Sequence, residues 1–385
     1  MSEVDVLIIG AGPAGCAAAI EAARGGARVL VLDRARFPRN KTCGDAVSAK
    51  GAALIDILGG VSQALTTVPH AIVHAGVAIL PDGSRLGRGF GHEPGYIVAR
   101  LVLDDLLRSY LERSSATLRQ GVAVRELLVE GGRVVGAASD SEQWRAPITI
   151  AADGPGSLAW AALGQSYERG PALALAITGY YEGVEFGADM GCSEHYFEPD
   201  LPCGYGWAFP PVEGQANVGV YQRADHFARN PRSLPELLER FLAAHPERFA
   251  KAERVGRARV WSLPLSVSRQ PRGGPGLLAC GDAGRFIDPL SGEGIWQALH
   301  SGRLAAEQAI EGLARVGTID ASCVRAYERA CARDIVWPAR MRLGIQEGMR
   351  VLVSSGGYRR PLVRRALSWG YGGDLLHTGV DARGS

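Results

Sequence analysis

The chain opens with an apolar run, Val4 to Ile9, that breaks into glycines and resumes as an alanine-rich stretch, Cys16 to Arg24. β-branched and aliphatic residues without alternation predict a strand buried on both faces, and the following stretch predicts a helix packed on it. Arg28 to Leu32 reads as a second strand, giving a βαβ unit. Two later segments repeat the strand-then-helix order, residues 148–164 and 276–310. Between them, from about 166 to 268, the pattern changes to short runs separated by turn residues: ALALAITGYYEGV, EHYFEP, YGWAFP, NVGVY and RVWSLPL. Such runs predict an antiparallel sheet, to which residues 66–94 contribute. Within it Tyr205, Trp207 and Phe209 alternate with small residues, placing three rings on one face, and Glu213-Gly214 predicts the hairpin turn. The end from about 326 reads as helical, with Pro338 expected to kink or terminate a helix.

These patterns predict an α/β fold with an α+β part. A discontinuous Rossmann-like domain takes residues 1–65, 95–165 and 270–325; an antiparallel-sheet substrate domain takes 66–94 and 166–269; and a helical segment takes 326–385. A chain of 385 residues exceeds one usual hydrophobic core. Its net charge of +2 argues against a polyanionic partner such as nucleic acid. The seven cysteines are scattered, without zinc spacing, and read as reduced thiols in a cytoplasm. No apolar run is long enough to span a bilayer. The segment YRRPLVRRALSWG, with Trp369, reads as a solvated helix or as one that touches a membrane surface, so membrane contact is at most peripheral. The eight histidines, from His70 to His377, show no triad or metal spacing, and no metal site is expected; His195, beside Tyr196 and Phe197, merits testing.

The glycines carry the first chemistry. Gly10, Gly12 and Gly15 complete G-x-G-x-x-G between strand and helix: a tight turn, close approach of a pyrophosphate, and close helix packing. Free N–H groups at the helix start suit phosphate. Asp33 ends the second strand, where a carboxylate accepts ribose hydroxyls and repels the extra phosphate of NADP. The unit binds a dinucleotide, and by itself leaves NAD and FAD open. No second such fingerprint occurs, so any nicotinamide donor has no dedicated domain.

ITIAADGPGSLAWAALG resembles the DG motif of the FAD-dependent hydroxylase superfamily, through Asp153 and Gly154. An arginine common there is replaced by Trp160. GLLACGDAGRFIDPLSGEGIWQALHSGRL resembles the second flavin fingerprint of that superfamily. It implies that Asp282 binds the ribityl or pyrophosphate region, and that Gly292, Gly294 and Ile295 face the N1/C2 edge of the ring. The usual GDAAG reads GDAGR here. YIVARLVLDDLL matches a pattern in which Arg100 reaches the cofactor and Asp104 helps hold the helix. Val124, taken as the end of the following strand, is implied to touch adenine; Ala14 and Arg34 are implied cofactor contacts in the first unit.

FPRNKTCGDAV, residues 37–47, together with CGYGWAFPPVEGQANVGVY, resembles the geranylgeranyl reductase family of flavoproteins. The resemblance spans roughly residues 4 to 330 and implies FAD, an apolar substrate and a saturated C=C bond. Cys43 and Gly44 are implied cofactor-loop residues, and Cys43, Tyr205 and Trp207 are the candidate catalytic residues. Cys43 reads equally as a small buried residue, and the three rings as ordinary sheet core. The family's second glycine after the aromatic motif is Tyr221 here, which should narrow the space above the flavin. Hydride transfer at flavin N5, in reduction or desaturation, is the leading expectation. A monooxygenase or halogenase acting on a natural product is the alternative, and an electron-transfer module a third reading. The electron donor is NAD(P)H, reduced ferredoxin or a partner reductase.

Overall fold

The computed structural model describes residues 4–371; His377 and the end of the expected C-terminal segment lie outside them, as does the side chain of Trp369. A six-stranded sheet runs in the order Gly273–Gly274, Leu277–Ala279, Ile148–Ala151, Val6–Ile9, Val29–Asp33, Thr117–Gln120. All its pairings are parallel except the first. Val6–Ile9 is fully buried, as its unbroken apolar run requires. The helix Pro13–Arg24 packs between this sheet and the long helix Ile295–Val316. The approach of the two helices is close: a Cβ on Gly302 would stand 2.2 Å from the Ala14 carbonyl oxygen.

A seven-stranded sheet runs Glu253–Pro264, Leu173–Glu182, Gln215–Arg223, Gly204–Val212, Cys192–Tyr196, Ala75–Ile79, Arg85–Gly89. It is mixed rather than antiparallel throughout, because Cys192–Tyr196 pairs in parallel with Ala75–Ile79. That pairing joins segments more than a hundred residues apart, so no hairpin announces it. Glu213 and Gly214 have φ of 51° and 85°, the two positive values that a tight hairpin turn requires. A small sheet of Ala46–Val47, Gly95–Ile97 and Ala71–Val73 ties the 37–47 loop to the rest.

Pro338 does not end the helical run. Ala321–Cys331 passes through a wider π turn, Ala332–Val336, into Trp337–Ser355, and that irregular turn lies just before the proline, which has no N–H to continue the regular ladder. Residues 361–371 are helical, with Leu362 82 % exposed. No helix among the described residues is long and apolar enough to cross a membrane.

Candidate active site

Two cavities, about 520 and about 310 Å³, lie end to end and share Pro13, Lys41, Arg100, Trp261, Asp282 and Ala298. The larger is a groove along the carboxyl ends of the parallel strands. Gly10, Gly12, Ala14, Asp33 and Arg34 line one side, and Val124, Asp153 and Gly154 another. Gly10 has φ +98° and Gly15 presses on it, since a Cβ on Gly15 would fall 1.8 Å from the Gly10 oxygen. A Cβ on Gly12 would meet nothing nearer than Arg39 at 3.6 Å, so this glycine faces the groove. Asp33 Oδ2 accepts from Ala11 N at 2.6 Å and Oδ1 from Ala35 N at 2.7 Å, fixing a buried carboxylate at the groove. Val124 begins the strand Val124–Glu130 instead of ending one, because the preceding strand stops at Gln120. It lines the groove from that position.

At the junction, Arg100 donates from Nε and Nη2 to both oxygens of Asp104, at 2.7 and 2.8 Å, and Arg39 pairs with the same carboxylate at 2.8 Å. Asp104 therefore staples the first turn of the helix Arg100–Glu112 through Arg100 and holds a second guanidinium, Arg39, as well. Lys41 pairs with Asp282 at 3.1 Å. Trp160, in the place expected for an arginine, donates from Nε1 to the Ala283 oxygen at 2.7 Å. Arg285, the departure from GDAAG, lies 4.2 Å from its ring centroid and pairs with Glu168. The two departures explain each other: the tryptophan supplies the platform on which the displaced arginine is buried.

The smaller cavity is bounded by Cys43 and Gly44, by the Gly292–Ile295 turn, and by an aromatic wall. Tyr205, Trp207 and Phe209 are buried neighbours on that wall. Tyr221 is paired in register with Tyr205 and stacks on it at 5.2 Å, while both hydroxyls donate to the opposing turn, at Ser291 and Pro289 oxygens. Tyr221 thus fills space above the helix start, as its replacement of glycine implied. Gly219 cannot be larger, since its Cβ would lie 2.4 Å from Trp207 Cζ2. His195 packs at 5.2 Å from Tyr205 and 5.6 Å from Phe209, and burial lowers its pKa to about 4, so the ring is neutral. Burial raises the Cys43 thiol, which borders this cavity as a thiol and not a thiolate.

Sequence reasoning missed a buried network beneath the loop. Asn217 donates from Nδ2 to the Cys43 oxygen and to Asp45 Oδ2, both at 2.8 Å. Its Oδ1 accepts from Trp207 Nε1 at 2.9 Å and Thr178 Oγ1 at 2.8 Å. Asp45, at φ +64°, also accepts from the Tyr180 hydroxyl at 2.6 Å and Arg100 N at 3.2 Å, and burial raises its pKa to about 6. Asparagine two residues after the turn strand begins gave no signal, because its partners lie far away in the chain. One trio with ligand potential, Cys203, His226 and Glu347, was also missed; Arg223 pairs with Glu347 and already places a cation there.

An extended dinucleotide fits this space. Each cavity has an uncapped helix start, at Gly12 in the larger groove and at Gly294 in the smaller one, whose first-turn N–H groups suit anionic and electron-rich atoms. Asp153 Oδ1 and Trp261 Nε1 are buried along it with no partner among the described residues, and Arg39, Lys41 and Arg100 gather positive charge at its middle.

A family profile described as "FAD binding domain" matches residues 3–333. The chain is 31% identical to a menaquinone reductase of Mycolicibacterium smegmatis, over 81% of this chain and 77% of that protein. It is 32% identical to digeranylgeranylglycerophospholipid reductase 1 of Methanopyrus kandleri, over 85% of each. Among solved structures, a geranylgeranyl bacteriochlorophyll reductase-like protein of Thermoplasma acidophilum has a TM-score of 0.81 at 24% identity, covering 91% of this chain and 90% of that one. A flavin-dependent brominase has a TM-score of 0.75 at 21% identity, covering 96% and 94%. Both structural likenesses are of fold.

Proposed function

Because the chain belongs to the FAD-binding-domain family, and within it to the FAD-dependent oxidoreductases of geranylgeranyl reductase type, we propose that it saturates a C=C bond of an apolar, prenyl-bearing substrate. The observation that carries this reading is the facing pair of surfaces in the smaller cavity. One is the Gly292–Ile295 helix start; the other is the Tyr205–Trp207–Phe209 wall. Bound FAD, when reduced, supplies a hydride from N5 there. Gly10, Gly12, Ala14, Gly15, Asp33, Arg34, Val124 and Asp153 hold its adenosine and diphosphate half, with Arg100 and Asp282 at the bend. Cys43, Gly44, Gly292, Gly294 and Ile295 hold the ring. The aromatic wall orients the double bond and excludes water, so that charge in the site is felt strongly. Cys43, Tyr205 and Trp207 border the reacting atoms.

The same reading divides the chain as the sequence suggested. All strands of the six-stranded sheet fall within 1–65, 95–165 and 270–325, and all strands of the seven-stranded sheet within 66–94 and 166–269, which supports an FAD part, a substrate part and a helical end from 326. Electrons come from NAD(P)H docking transiently, or from reduced ferredoxin or a partner reductase. Seven unpaired cysteines support a cytoplasmic site of action.

The test is anaerobic single turnover of chemically reduced, FAD-loaded protein with menaquinone and with digeranylgeranylglycerophospholipid, the substrates that the relatives' names indicate. A product heavier by two hydrogens without air supports the reading. A product formed only with air, carrying oxygen or halogen, supports the monooxygenase or halogenase alternative instead.

A further inference from the structure

Saturating a double bond needs a proton as well as a hydride, and most polar groups around the smaller cavity are already committed. The Tyr205 and Tyr221 hydroxyls donate to backbone oxygens. Asp45 accepts three hydrogen bonds, the arrangement of a carboxylate. His195 is neutral and packed among rings.

The stretch from Asp288 to Ile295 holds two carboxyl groups in contrasting surroundings. Asp288 Oδ1 accepts from Leu290 N, Ser291 N and Ser291 Oγ at 2.9, 2.9 and 3.1 Å, and Oδ2 pairs with Arg342 at 2.5 Å. Its carboxylate is fully partnered. Glu293, whose backbone oxygen binds Asp288 N at 2.8 Å, borders the cavity; Ser48 and Gln297 reach its carboxyl group, yet Oε1 is buried with no partner among the described residues. One helical turn on, Gln297 also buries an unpartnered Oε1. A buried, unpartnered carboxylate oxygen beside a second carboxylate is costly when charged and cheap when protonated. Two carboxyl groups in environments this different divide the roles of base and acid between them.

We propose that Glu293 is held as a neutral carboxylic acid and is the proton source for the reduction. Bound, reduced FAD would supply hydride to one alkene carbon. The other would form its C–H bond with the Glu293 proton as the O–H bond breaks, and the carboxylate left behind would regain a proton from water. The direction of the Glu293 titration agrees: burial raises it and outweighs the hydrogen bond with Ser48, Asp288 adds to it, and the Arg342 charge and a hydrogen bond with Gln297 oppose it. Lys41, Cys43, Asp45, Arg100, His195 and Asp282 line the same cavity. A raised folded value keeps the acid protonated at low pH and loses it as pH rises through that value, so activity should fall on the alkaline side.

This inference rests on the reductase reading, and the experiment separates the two. Glu293→Gln keeps the shape and a donor but has no acidic proton. In full-length, FAD-loaded protein it should lower the single-turnover rate roughly a hundred- to ten-thousandfold, with flavin content unchanged and the alkaline limb of the pH–rate profile abolished. Independently of turnover, the infrared carbonyl band of a neutral carboxylic acid should be present in the wild type at neutral pH and missing from the variant. If E293Q reduces substrate at the wild-type rate, or the infrared difference shows no such band, the proposal is wrong. If the wild type itself adds no hydrogens to either lipid, the reductase reading fails, while the infrared band still decides the state of Glu293.

Discussion

Asn217 is the point at which the aromatic wall and the 37–47 loop are joined, and replacing it with alanine should loosen both. The side chain makes four hydrogen bonds, and losing it does not strand every partner equally. Thr178 Oγ1 keeps the Val218 oxygen at 3.3 Å, and Asp45 keeps Tyr180 and Arg100. Trp207 Nε1 and the Cys43 oxygen have no other hydrogen-bond partner among the described residues. Each stranded buried group costs about 1–3 kcal/mol, so Asn217→Ala should lose ~2–6 kcal/mol, a large share of a typical ~5–15 kcal/mol. Denaturant titration followed by tryptophan fluorescence measures this, and flavin content at fixed FAD concentration reports the loop. Because the two orphans face the smaller cavity's boundary, flavin retention should fall along with stability. A midpoint and flavin content indistinguishable from wild type would refute the account of the network.

Three further predictions follow from distances and titrations already given. Gly219→Ala would place a Cβ 2.3 Å from the Ile177 oxygen and 2.4 Å from Trp207, so it should destabilise by about 1–3 kcal/mol and perturb Trp207 emission; an unchanged melt and spectrum would contradict the packing. Arg100→Leu leaves the buried Asp104 with Arg39 alone and should cost about 3 kcal/mol while weakening FAD binding, measured by flavin titration. Burial raises the folded pKa of Asp45 from the ordinary carboxylate range to about 6, so its protonated state is the one that favours folding. Its contribution is present below about pH 4 and lost as pH rises to about 6. Asp45→Asn should therefore gain stability relative to wild type across that window, by order 3 kcal/mol, and a flat difference in melting temperature would refute this.

What could be read from the sequence was local. Gly10, Gly12 and Gly15 announce their turn within six residues, and Tyr205, Trp207 and Phe209 announce a shared face by alternation alone. The buried polar contacts were illegible because each joins distant segments: Asn217 to Asp45 spans 172 positions and Lys41 to Asp282 spans 241. Val124 was misplaced by a few residues because an apolar residue at a strand boundary carries no stop signal. Trp160 and Arg285 looked like two separate departures from a pattern; only their stacking shows them as one exchange. Glu293 went unremarked since a carboxyl group in a glycine-rich turn is ordinarily solvated.

The contact between Gly302 and Ala14 has a bearing on what can move. With backbone pressed against backbone, the helix that starts at Gly12 and the helix that starts at Gly294 travel together. Their two starts are therefore held at one fixed separation, whatever occupies the space between them. Any widening of the smaller cavity must come from elsewhere, and the 37–47 loop is the nearer candidate, held there by the Asn217 amide, the Lys41–Asp282 pair and the strand Ala46–Val47.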